Sequence, residues 1–145
     1  LGREQLSRLE SILMTEGAAG RFRIVFLHHP PAPGAVSRRK ALSDAADLRT
    51  VLARAGAELV LHGHARDARL DSVAGPRDSI PCLCVPSSTA LPSAHDEGAR
   101  WHRLRLTFED ECARASVLVR RWSVQASAFI NAADDDLCLP RAACS

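Results

Sequence analysis

Six histidines occur in this 145-residue chain, and four of them fall into two short clusters, Leu27-His28-His29-Pro30-Pro31 and Leu61-His62-Gly63-His64. Neutral imidazole is the commonest protein ligand for a metal, through either ring nitrogen. A proline or glycine beside a histidine at the end of an extended segment fixes the direction of the ring and leaves it accessible. The residues alone support two readings: a metal site assembled from both clusters, or histidines that end strands by bonding backbone carbonyls. His95 and His102 lie outside the clusters, in a polar loop and an alternating strand, and read as surface or structural residues. Ser87-Ser88-Thr89 is a hydroxyl run without the Gly-x-Ser-x-Gly turn of a nucleophile elbow, so a serine nucleophile is not expected.

The elements around the clusters are readable from periodicity. Leu6, Leu9, Ile12 and Leu13 recur at helical spacing among charged and polar residues, which predicts an amphipathic helix over Arg3 to Glu16, stopped by Gly17 and Gly20. Arg23 to Leu27 is rich in β-branched and aromatic residues and reads as a strand, broken by prolines that have no N–H to give a ladder. Ser43 or Asp44 can cap a second helix, with Leu48, Val51, Leu52 and Ala55 as its apolar face and Gly56 closing it. Glu58 to Leu61 is the next strand, ended by Gly63. Both histidine clusters therefore sit at the carboxyl ends of strands joined by a helical crossover, and they would share one crevice if the strands are parallel neighbours. Downstream, Ile80 to Val85, Trp101 to Phe108 and Ala115 to Trp122 read as strands, and the tail from Ala126 to Ser145 as part strand and part frayed end.

Composition excludes more than it selects. One domain of this length buries a sizeable core, and 46% hydrophobic with 25% charged residues is the balance of a globular protein. The net charge of +2 comes from scattered residues, and Arg38-Arg39-Lys40 and Arg120-Arg121 read as a solvated loop and a strand edge; no nucleic-acid polymer is expected as a partner. Five cysteines with no paired CxxC spacing read as reduced thiols in a cytoplasmic protein, with Cys82 and Cys84 packing on one face of a strand. No apolar run reaches the roughly 20 residues of a membrane span.

Val25-Phe26-Leu27-His28-His29-Pro30-Pro31 and Val60-Leu61-His62-Gly63-His64-Ala65-Arg66 resemble, in order and spacing, the last two motifs of the calcineurin-like metallophosphoesterases. The Gln5 to Glu10 helix that precedes them, Cys84-Val85-Pro86-Ser87-Ser88 and the Trp101 to Leu106 strand extend the resemblance over most of the chain. It implies an α/β fold, the C-terminal part of a layered αββα sandwich with mixed sheets, as one partial domain over residues 1–145. It also implies a hydrolase, a phosphodiesterase or phosphatase acting on a small phosphoester. The family binds two divalent ions, manganese, iron or zinc.

Carried over by position, the resemblance makes His28 and His64 ligands of the same metal, with His29 and His62 as supporting or structural neighbours. Arg66 stands where the family has a second histidine, a ligand of the other metal; guanidinium offers no acceptor to a cation. It either forks onto a substrate phosphate or marks a weakened site. The family's Asp-x-His, Gly-Asp and Gly-Asn-His motifs are absent, so no catalytic residue is assigned. At most one metal is expected, and the chain alone is expected to be inactive. Two alternatives stand beside this one: a non-catalytic binding module of the same fold, and a mononuclear zinc hydrolase using His28, His64 and a further ligand such as His29 or Asp67. Half of a layered sandwich would leave a sheet face open, through which copies could associate.

Overall fold

The computed structural model describes residues 1–65, 68–93, 98–108 and 112–140, with the side chains at 112, 133–136, 138 and 140 outside that description. In chain order the elements are α1 (Arg3–Ala18), β1 (Ile24–Leu27), α2 (Ala45–Ala55), β2 (Leu59–His62), β3 (Leu70–Ala74), β4 (Ser79–Cys84), β5 (Arg100–Phe108), β6 (Cys112–Ser123) and β7 (Ala128–Pro140). They form two helices and two sheets: a four-stranded sheet in the order β1-β2-β4-β3 and a three-stranded sheet in the order β5-β6-β7. In the first, β1, β2 and β4 are parallel and β3 returns antiparallel along β4. The second is an antiparallel meander.

Period-two alternation sorts the side chains of the first sheet into two cores. Val25, Val60, Ile80 and Cys82 face the helices and pack with Leu6, Leu13, Leu48, Val51 and Leu52. Ile24, Leu59, Leu61 and Leu83 point the other way, onto Ala113, Ala115, Val117 and Val119 of β6 and Leu139 of β7. The central strands β2 and β4 are therefore covered on both faces and read as apolar runs, whereas Phe26 of β1 is 72% exposed and the edge strand β3 is largely open. Ala113 and Ala115 are fully buried between the two sheets. The outer face of the meander is exposed at Trp101, Arg103, Arg105, Arg114 and Ser116, and Arg120 lies over the Trp101 ring at 5.8 Å.

Several local expectations change. The first helix does not stop at Gly17 but runs to Ala18, and the chain turns at Gly20, whose φ is 68°. Gly17 is required for space: a Cβ there would strike the Arg23 guanidinium. Ile12, on the apolar spacing, is half exposed, and Leu6, Leu9 and Leu13 carry the packing. Asp44 is the residue before α2, yet its side chain makes no capping bond and accepts from the Gly2 N–H at 2.8 Å instead. Strand β3 carries no strand signal in the sequence, because Leu70-Asp71-Ser72-Val73-Ala74 lacks a β-branched run; pairing with β4 supplies what propensity does not. The tail is strand from Ala128 to Pro140, including Asp134-Asp135-Asp136, since β6 offers a full ladder for it. Among the described residues, no helix is long and apolar enough to cross a membrane.

Candidate metal centre

Register assembles the two histidine clusters. β1 and β2 pair in parallel with Leu27 opposite His62, so the residues that follow each strand leave the sheet side by side. The pairing continues one step further: the Gly63 N–H donates to the His28 carbonyl at 3.1 Å, and the Val85 N–H donates to the His62 carbonyl at 2.8 Å. Gly63 thus lies between the chain segments at His28 and Val85. His64 then takes a left-handed conformation, φ 66°, which non-glycine residues adopt at a cost of roughly 1 kcal/mol. A tight turn in which the Ala65 N–H reaches the Gly63 carbonyl at 2.8 Å accompanies it.

On the other strand, Pro30 and Pro31 are buried directly after the histidine pair. They fix the backbone leaving His29, and Arg49 of α2 donates to the Pro31 carbonyl at 3.0 Å. Arg49 was not singled out from the sequence, where it is one arginine on the polar side of a helix and carries no distinguishing signal.

Three rings converge as a result. His28 Nε2 and His64 Nδ1 are 3.2 Å apart. The His29 ring centroid lies 4.3 Å from that of His64 and 4.8 Å from that of His28. One ring nitrogen from each of the three falls within 4.8 Å of the other two. Among the described residues this is the one group of histidine, cysteine or carboxylate side chains so gathered. His64 Nε2 is buried without a partner, so a single ring carries one nitrogen facing His28 and another that no protein group satisfies. Partial burial, and then the neighbouring His29 and His28 rings and Lys40, hold the His64 pKa below its ordinary value. Metal ligation requires neutral imidazole, and these surroundings favour that form.

His62 stands apart. It is 3% exposed among the helix-facing side chains, with Nδ1 3.1 Å from the Gly63 carbonyl oxygen and Nε2 buried without a partner. Burial pushes its pKa below the ordinary 6.5. The unfolded chain therefore binds a proton near pH 6.5 that the folded chain refuses, and stability is lost as pH falls from there toward the depressed folded value. Urea unfolding of His62→Leu at pH 7.5 and pH 5 is expected to show a smaller acid loss than the parent protein. Equal losses would mean that His62 does not carry this linkage.

The Cys82 and Cys84 side chains are buried. Burial, with Asp71 adding to it, pushes the Cys82 thiol up to about 12, so it stays protonated and packs as a small apolar group. His102 is half-buried on the inward side of β5. Arg66, Asp67 and His95 lie outside the described residues. No protein-family model matches the chain, and no curated protein matches it in sequence.

Proposed function

We propose that this chain carries the histidine side of a metal-dependent phosphoester hydrolase, with His28 and His64 holding one divalent manganese, iron or zinc ion. The observation behind this reading is that two imidazole nitrogens 36 residues apart in sequence meet at 3.2 Å on neighbouring strand ends. The two-sheet arrangement, with helices on one side and an open arginine-bearing sheet face on the other, is compatible with half of a metallophosphoesterase-type αββα sandwich. The motif resemblance at Leu27-His28-His29-Pro30-Pro31 and Leu61-His62-Gly63-His64 supplies the phosphoester. A bound cation would polarise a phosphoryl oxygen and acidify a bound water; the chain's own part is to present imidazole nitrogens from a fixed backbone. With no second ligand set among the described residues, this chain is expected to take one ion and to be a poor catalyst or none by itself.

The test is cobalt substitution, with the visible spectrum reporting exchange at the ion's open positions. A non-hydrolysable phosphodiester analogue is expected to change the spectrum at concentrations where acetate does not, and His64→Ala is expected to abolish both the spectrum and the response. Failure to bind cobalt, or an equal response to acetate, would overturn the reading in favour of a non-catalytic module or a zinc hydrolase of other specificity.

A further inference from the structure

We infer that His29 is itself a metal ligand, so that His28, His29 and His64 form a three-imidazole cap for a single zinc-type divalent cation with an open position for water. The inference rests on the metal-holding part of the preceding proposal and is independent of its phosphoester chemistry.

Zinc bonds imidazole nitrogen at roughly 2.0–2.1 Å and takes four ligands tetrahedrally, which places any two ligand nitrogens roughly 3.3 Å apart. The 3.2 Å between His28 Nε2 and His64 Nδ1 is already one edge of that tetrahedron. Two nitrogens on one edge leave a third corner to be filled from the same side. The His29 ring lies beside that edge, its centroid closer to that of His64 than the His28 centroid is, 4.3 Å against 5.0 Å. The widest nitrogen separation in the group is 4.8 Å. His28 is exposed and His29 half-buried, so the ring movement that one ion would require falls at the surface and not in the packed core. The backbone is less free to move: buried Pro30 and Pro31, with Arg49 on the Pro31 carbonyl, hold the His29 segment against α2.

A supporting role for His29 would look different. A histidine that orients a ligand donates a hydrogen bond to it or to the backbone that carries it. No such bond joins His29 to His28 or His64; ring packing does, at interplanar angles of 88° and 44°. One hydrogen bond, between His28 Nε2 and His64 Nδ1, joins the rings and leaves His29 outside it, whereas a cation would engage all three. Three protein ligands plus a water is also the arrangement that keeps a zinc site chemically open.

Competition between the metal-free protein and a chromogenic chelator for zinc, with circular dichroism to check folding, tests the assignment. One zinc per chain is expected. Each of His28→Ala, His29→Ala and His64→Ala is expected to weaken zinc binding by more than about 100-fold, beyond the roughly 10–100-fold that loss of an outer supporting group costs. His29→Cys covers the case in which the alanine variant fails to fold. Loaded with cobalt, it is expected to gain a sulfur-to-metal charge-transfer band that a residue acting only through its neighbours cannot produce. A His29→Ala loss under 100-fold, a cobalt-loaded His29→Cys protein without the band, or two zinc ions per parent chain would each overturn the inference. An unresponsive phosphodiester titration, by contrast, would leave it standing and remove only the phosphoester reading.

Discussion

Glu58→Ala is expected to destabilise the fold by about 3–5 kcal/mol, the usual cost of breaking a buried ion pair from one side. Glu58 and Arg23 side chains are 3% and 9% exposed. The guanidinium meets the carboxylate with two nitrogens, Nη2 to Oε1 at 2.7 Å and Nε to Oε2 at 3.2 Å. It also donates through Nη1 to the carbonyls of Leu13 in α1 and Ala55 in α2, at 2.9 and 2.8 Å. One cation thus ties both helices to the entry of β1 and β2, and without the carboxylate it would remain desolvated with only carbonyl partners. Domains of this kind are stable by about 5–15 kcal/mol, so the loss is a large fraction of the whole. Urea unfolding measures it directly. The double variant Arg23→Met with Glu58→Leu, which removes both charges, is expected to recover most of the loss. A single-variant cost below about 1 kcal/mol would show that solvent reaches the pair more freely than its burial indicates.

Leu52→Ala comes next, with an expected loss of about 2–5 kcal/mol. Leu52 is fully buried in α2, among the side chains that join the helices to the first sheet. Its carbonyl also receives the Gly56 N–H that ends the helix, but that bond survives the substitution, so the effect isolates the cavity. The urea midpoint should fall with an unchanged slope. Met14→Ala, at 57% exposure on α1, should stay within about 0.5 kcal/mol. Comparable losses at the two positions would contradict the placement of the core.

The parts of this structure that were legible beforehand are those in which one residue type does one job. The apolar spacing of Leu48, Val51, Leu52 and Ala55 locates α2, and the runs ending at Leu27 and Leu61 locate β1 and β2, with histidines after both. The other elements depend on partners. Leu70–Ala74 and the aspartates of β7 have no strand character of their own and are extended because β4 and β6 pair with them. Gly17 reads as a stop signal until the Arg23 guanidinium beside it is seen. At the site, His28 and His64 can be picked out by their order along the chain. The convergence of His29 cannot, because it depends on how two buried prolines and Arg49 set the backbone one residue past the strand.

The two sheets also differ in how far apart along the chain their partners lie. Strands β5, β6 and β7 pair with their sequence neighbours, whereas β1 reaches β2 only across the α2 crossover. Local hairpins close quickly, while parallel pairing first has to overcome the entropy of a long loop. His28, His29 and His64 become a group only once that slower register is in place. Any cation they hold would bind the native chain in preference to its unfolded forms and draw folding to completion by mass action, as a clasp that can close only on a finished frame.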